Sequence, residues 1–231
     1  MNSPKGHPLH IVLLNQAFYP DVVATAQMSK DLADELVAKG HTVTAIASRS
    51  IYGKSGATLP TREVLPNGIQ VHRVGFSLFG RAGTLLRVLD FAFFYLLAAV
   101  KLLTIPRPDV VVGFSTPPYI ALLTIINRWL RGSKAVYWAM DLYPDVIVSS
   151  GMLTPDSVLT RILDWFHRKL VKHADATVVL GRCMLDKVTI KAGPTAAAKV
   201  RFIPVWADEA GIESVPRTAN TLRKEWGCGD A

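Results

Sequence analysis

Short apolar runs alternate with longer amphipathic stretches along the chain. Residues 9–15, LHIVLLN, are too few for a helix and suit a strand buried on both faces. The following TAQMSKDLADELVAKGH returns Met28, Leu32, Leu36 and Val37 at helical spacing, with Gly40 where a helix C-cap belongs. Residues 42–48 are β-branched and read as a second strand, and the alternating GIQVHRVG (68–75) as a third. Between them, residues 49–67 are rich in Gly, Pro and Ser and read as loop. Residues 81–104 form a long apolar helix, 109–115 a fourth strand, and 118–131 a helix opened by proline. KAVYWAM (134–140) is the fifth strand. The next helix takes Thr154 as N-cap and Pro155 as its first residue, with Leu159, Ile162, Leu163, Phe166 and Leu170 on one face. A strand at 176–181, a helix at 182–192 and a strand at 199–206 close the series.

Strands alternating with helices imply an α/β fold: a doubly wound, Rossmann-like parallel sheet of about seven strands, helices on both faces, joined by right-handed crossovers. Ligands of such sheets sit beyond the carboxyl ends of the strands, where the strand order reverses. Five segments end there: Asn15–Gln27, Arg49–Gly53, Ser115–Tyr119, Asp141–Asp145 and Gly181–Arg182.

Composition narrows the class. The 231 residues are half hydrophobic and 19% charged, enough to bury a sizeable core. A net charge of +8 favours anionic partners such as phosphorylated ligands or an acidic membrane surface. No recognised nucleic-acid module or basic-aromatic sheet face accompanies it, so nucleic acid is not expected. Cys183 and Cys228 fit a reducing compartment, and no Cys/His cluster points to a metal. No secretory signal is visible at the amino terminus. Only ten residues separate Asp90 from Lys101, against the ~20 needed to span a bilayer. Residues 110–127 are longer between charges, but Pro117 and Pro118 divide them.

The chemistry follows from the carboxyl edge. The loop NQAFYPDVVATAQ contains no glycine, which excludes the G-x-G-x-x-G of dinucleotide binding, and a P-loop is equally absent. It leads into a helix N-terminus near Thr25–Gln27, which is either an anion site or an ordinary helix start. Asp141 ends an apolar strand. It is a base, an acceptor for sugar hydroxyls or an electrostatic stabiliser, or it caps the turn before Leu142-Tyr143-Pro144. Asp145 reads as structural. Arg49 and Arg182 are either phosphate contacts or solvated surface charges. Candidate substrate-binding side chains on this edge are therefore Asn15, Gln16, Tyr19, Thr25, Gln27, Arg49, Ser115, Tyr143 and Arg182, with Asp141 as the catalytic candidate. The helix 81–104 has basic flanks (Arg81, Arg87, Lys101, Arg107) around Phe91, Phe93, Phe94, Tyr95, Leu96 and Leu97. It is either an interfacial helix on an anionic membrane or a core helix with charged ends; its apolar residues are too many for one buried face.

Five segments, taken in order, resemble the N-terminal half of family 4 glycosyltransferases of the GT-B fold, nearest the bacterial subgroup that builds surface polysaccharides. They are IVLLNQAFYPDVVATAQMSKDLADELVAKGHTVTAIAS, RPDVVVGFSTPPYIALL, AVYWAMDLYPDV, ADATVVLGRCMLDKV and VRFIPVWAD. The resemblance implies a metal-independent, retaining transfer of a sugar from a nucleotide-diphosphate donor to a saccharide acceptor, with a polyprenyl pyrophosphate as its candidate carrier, at the inner face of the cytoplasmic membrane. It gives Asp141 the family's Asp position, while Met140 stands where many members have His, and ATAQ replaces the usual glycines of the first loop. Val205 departs from the family's Ile-Pro-Asn. It further implies that residues 1–208 are the acceptor-side domain, and that 209–231 are a linker and the start of a second domain with a Glu-x7-Glu pair. The chain alone is then expected to be incomplete and inactive. The alternative is an accessory subunit that pairs with a separate donor-binding chain.

Overall fold

The structure, a computed structural model, describes residues 7–51, 54–75, 84–206 and 214–227. Arg81 and residues 209–213 of the expected linker lie outside the described residues. The elements run β1 (His10–Leu14), α1 (Ala24–Ala38), β2 (Thr42–Ser48), β3 (Ser50–Ile51), β4 (Lys54–Thr58), β5 (Arg62–Val64) and β6 (Gln70–Val74). Then come α2 (Thr84–Thr104), β7 (Val110–Gly113), α3 (Leu122–Arg131), β8 (Lys134–Ala139), α4 (Asp145–Ser149) and α5 (Val158–His173). The series continues with β9 (Ala176–Val179), α6 (Arg182–Ala192), α7 (Pro194–Ala197) and β10 (Val200–Phe202), and α8 (Thr221–Glu225) lies after them.

Eight strands form one sheet in the order β10-β9-β8-β7-β1-β2-β6-β5. Its seven expected strands are parallel, and β5 adds an antiparallel edge. The chain builds outward from β1 through β2 to β6, then returns to the other flank of β1 with β7. The strand order thus reverses between β1 and β7, which is the ligand-binding crevice of doubly wound sheets. Alternate residues of β1 serve two cores, as period 2 requires. Ile11 and Leu13 pack beneath α1, whereas Val12 and Leu14 meet Phe94, Ala98 and Leu102 of α2. α3, α5 and α6 cover the same face as α2 over β8 and β9, with Ile125, Leu170 and Val188 buried.

Three local expectations are corrected. Residues 49–67 are not wholly loop: β3 and β4 pair as a hairpin, and β5 joins the sheet through Arg62–Val64 against Gln70–His72. These strands are short and rich in turn residues, so their periodicity is weak. The helix expected from Pro118 starts at Leu122, because residues 117–121 are taken up by tight turns, with Ile120 N–H bonded to Pro117 C=O. α5 starts three residues after Pro155, capped by Ser157, whose hydroxyl accepts from Thr160 N–H at 3.1 Å. Its buried residues are Thr160, His167, Leu170 and Val171, while Leu159, Ile162 and Phe166 face outward. On α1 the buried row is Ala26, Ser29 and Ala33, with Leu32, Leu36 and Val37 packed at its margins.

The edge of β8 is braced from behind. His167 is 1% exposed, and its Nδ1 donates to Tyr143 C=O at 2.8 Å. Burial, reinforced by the Lys191 charge, holds this imidazole below its ordinary pKa and therefore neutral. Beside it, Lys191 bridges Asp145 at 2.6 Å and Asp164 at 3.0 Å, and Lys187 approaches Asp145 at 3.4 Å. Partial burial by itself raises the two carboxyls. The hydrogen bonds and charges of Lys191, with Lys187 on Asp145 and Arg168 on Asp164, outweigh that and hold both below the usual carboxylate range. Asp145 is thus structural, tying α4 to α6.

Two stability measurements follow. The unfolded chain protonates His167 more readily than the folded one, so stability falls as pH drops through ~6.5. His167→Phe should remove that portion of the loss and cost ~1–2 kcal/mol at neutral pH through the missing hydrogen bond; denaturant melts on either side of this value measure it. Lys191→Met should cost ~1 kcal/mol near neutral pH, discounted for solvent screening. The two depressed carboxyls contribute above their unfolded value and lose the contribution as pH falls through the folded one. The difference between parent and variant should therefore close below pH ~4.

Candidate functional site

The switch point is knotted by main-chain bonds. Gln16 N–H donates to Thr116 C=O at 2.8 Å, and Gln16 C=O accepts from Ser48 N–H at 2.8 Å. The main chain of one residue thus joins the carboxyl ends of β1, β7 and β2. Asn15 is buried, and its Nδ2 donates to Ala17 C=O at 2.7 Å and Thr25 C=O at 3.2 Å, folding the loop back over the strand end. Its Oδ1 is buried and accepts no hydrogen bond among the described residues.

Ser115 carries the chain of contacts to β8. It is 1% exposed, and its hydroxyl accepts from Asp141 N–H at 3.0 Å. Gly113, two residues earlier, lets α3 come close: a Cβ there would lie 2.7 Å from Ala121 Cα and from Thr124 Cγ2. Tyr137 O–H donates to Asp141 C=O at 3.4 Å. The Asp141 main chain is therefore fixed on both sides. Its half-buried carboxylate accepts no hydrogen bond and pairs with no cation among the described residues. A carboxylate at the rim of an apolar strand, held by its backbone and otherwise disengaged, is able to accept a hydrogen bond from a ligand hydroxyl. Tyr143 lies beside it, with its ring 6.1 Å from that of Tyr119. Burial, then the Asp141 charge, raises the Tyr143 phenol, so it remains a neutral donor.

Asn15, Gln16, Ser115, Asp141 and Tyr143 are thus brought to one edge by these bonds and by chain adjacency, with Asn15 and Ser115 buried beneath it. The other candidates stand apart from it or are engaged. Tyr19 is exposed, with Lys30 Nζ 5.6 Å from its ring centroid. Thr25 contributes its carbonyl to Asn15, and Gln27 turns its amide back to Val22 C=O at 2.7 Å. Arg49 spends its Nε on Leu59 C=O at 3.0 Å, tying it to the β3–β4 hairpin. Arg182 is exposed at the first position of α6. α1 starts at Ala24 behind Val23, which supplies no side-chain cap to its N-terminus.

Two positioning residues escaped the sequence reading. Arg73 is 2% exposed; its Nη2 donates to Tyr19 C=O at 2.5 Å, and it pairs with Glu63 of β5. This strut holds the first loop from the far side. His167 is the other, through Tyr143. A buried-strand arginine opposite an acid is a visible signal once β5 is recognised; His167 had none beyond its place on a helix. Among the described residues no three His, Cys, Asp or Glu side chains gather to hold a metal ion.

Known proteins resemble this chain in sequence or in fold. The chain is 33% identical over 122 residues to the probable glycosyltransferase WbjE of Pseudomonas aeruginosa, covering 52% of this chain and 30% of the relative. Among solved structures, HepE of Anabaena in complex with UDP-glucose superposes with a TM-score of 0.57 at 12% identity, over 95% of this chain and 50% of the other. The catalytic domain of starch synthase IV from Arabidopsis thaliana, bound to ADP and acarbose, superposes at 0.58 and 12% identity, over 85% of this chain and 51% of its own length. The chain therefore spans about half of these structures and under a third of the curated relative. Both structural likenesses concern the fold, which is one Rossmann-like half of the GT-B architecture. The pattern of the glycosyl transferase 4-like domain matches residues 24–206, from the first turn of α1 through β10, and the chain belongs to that family.

Proposed function

We propose that this chain is the acceptor-side half of a retaining glycosyltransferase that moves a sugar from a nucleotide diphosphate to a saccharide acceptor. The observation that carries the reading is the Asp141 carboxylate, fixed by its main chain and disengaged at the rim of the switch point. It accepts a hydrogen bond from the acceptor hydroxyl and orients that oxygen toward the anomeric carbon. The bond from that carbon to the diphosphate breaks, the bond to the acceptor oxygen forms, and the hydroxyl proton leaves with the diphosphate. Tyr143 and Ser115 shape the acceptor side of the rim.

The donor diphosphate meets the 15–27 loop and the start of α1, to which Val23 supplies no side-chain cap. Fixed donors take the place of a metal in this reading. A second Rossmann-like domain supplies the remainder of the nucleotide pocket, with residues 209–231 as the link to it. The chain's span of half the length of its structural neighbours supports that division. Those neighbours' nucleotide ligands, UDP-glucose and ADP, support the donor class.

The acceptor is carried on a polyprenyl pyrophosphate, in the assembly of a cell-surface polysaccharide at the inner face of the cytoplasmic membrane. Support comes from α2. Phe94, Ala98 and Leu102 face the core, and Leu89, Leu96, Val100 and Leu103 form a second apolar stripe that faces outward. An exposed apolar stripe marks a protein or membrane contact, and the basic residues Arg87 and Lys101 on this helix favour an anionic bilayer. No helix among the described residues is long and apolar enough to cross a membrane.

Two experiments test this reading. In the protein joined to its donor-binding domain, Asp141→Ala leaves the N–H bond to Ser115 in place and should lower kcat by ~10²-fold with little change in melting temperature. Near-normal turnover would remove Asp141 from the mechanism. Calorimetric titration of the 231-residue chain with UDP- and GDP-sugars should show no saturation at micromolar concentrations. Micromolar binding would show a complete donor site and overturn the division between two domains.

A further inference from the structure

We infer that α2, α3 and α5 together form one docking surface for an anionic lipid bilayer, with α3 and α5 engaged as fully as α2. The inference rests on the membrane reading of α2 and extends it to two helices whose apolar residues would ordinarily be assigned to the core.

The three helices lie side by side on one face of the sheet, α3 touching α2 on one flank and α5 on the other. Their carboxyl ends are stitched together. Arg131 of α3 donates to Leu102 C=O and Ile105 C=O at the end of α2, at 2.7 and 3.0 Å. Arg128 of α3 donates to His173 C=O at the end of α5, at 2.9 Å. The layer is therefore a platform, and its outward side carries apolar residues on all three helices, interspersed on α5 with the exposed Arg161, Arg168, Lys169 and Lys172. α3 presents Ile126, Trp129 and Leu130, with Trp129 66% exposed. α5 presents Leu159, Ile162, Trp165 and Phe166, with Trp165 53% exposed. Isolated exposed apolar residues need no explanation, but a contiguous face across three helices does.

Charge selects the occupant. The three helices carry eight lysines and arginines against two aspartates, and of the eight Arg128 and Arg168 are paired with Asp175 and Asp164. Asp90 is buried, and Asp164 is occupied by Arg168 and Lys191. Lys169 lies 5.4 Å from the centroid of the Trp165 ring, so cation and indole sit at one level. Indoles beside lysines, above an apolar stripe, match the boundary between headgroups and acyl chains. A second copy of the same face would bring two positive surfaces together, whereas an anionic leaflet neutralises one.

The test is sedimentation of the full chain with vesicles of phosphatidylglycerol and phosphatidylethanolamine, compared with vesicles of phosphatidylcholine. The parent should pellet with the first and far less with the second. The pair Leu96→Ser and Val100→Ser on α2, and the pair Trp129→Ser and Trp165→Ser on α3 and α5, should each weaken partition by about tenfold or more. Quenching of tryptophan fluorescence by brominated lipid gives a second readout. Much of it should vanish in a Trp129→Phe, Trp165→Phe variant, which preserves apolar packing. If the α2 pair loses binding while the α3 and α5 pair keeps it, with quenching unchanged in the Phe variant, α2 docks alone and this inference fails. If the parent binds neither vesicle, the α2 reading fails with it, and a dimer in velocity sedimentation would then identify a second copy as the cover.

Discussion

The site hangs on the main chain of one residue. The N–H of Gln16 reaches β7 and its carbonyl reaches β2, so the three strands meeting at the reversal of strand order cannot spread without breaking it. Buried main-chain groups must be satisfied, and here satisfaction doubles as alignment. From that knot the order propagates outward through Ser115 to Asp141, and through Asn15 to Thr25. Behind the rim stand Arg73 and His167, each directing a hydrogen bond at a carbonyl of a rim loop. None of these four side chains needs to touch a ligand to matter. Their common effect is to remove freedom from loops that would otherwise lose it at the moment of binding.

The seven parallel strands were legible because each is an apolar run shorter than a helix, bounded by turn residues. The rim was legible by consequence: once strand order is assumed, the ends of β1, β7 and β8 must share an edge. What sequence could not supply was the occupation of individual side chains. Arg49 lies on the correct edge, yet its Nε serves a carbonyl of a hairpin hidden in a stretch read as loop. Gln27 likewise folds onto its own loop. The Glu63–Arg73 pair required β5, whose three residues carry too little pattern to be seen.

α5 offers the sharper lesson. Its apolar row is real, and the amphipathic argument assigns such a row to the core. The fold turns a neighbouring side inward: of the row only Leu170 is buried, beside Val171, while Thr160 and His167 find hydrogen-bond partners there. Amphipathicity reports that a helix has two faces, not which solvent each one meets. Which side turns inward is decided by the packing of the other elements, which the row alone does not report.

Gly113 links the two surfaces in a way that neither displays alone. With no side chain, it sets the gap between β7 and α3 at a distance that a single methyl group would violate. On one side of that gap lies the strand that ends at Ser115; on the other lies the helix that carries Trp129. Ligand rim and outer helical layer are therefore cut to a common tolerance. Drift in either surface is limited by the other, and the rim is easier to change by its loops than by its strands.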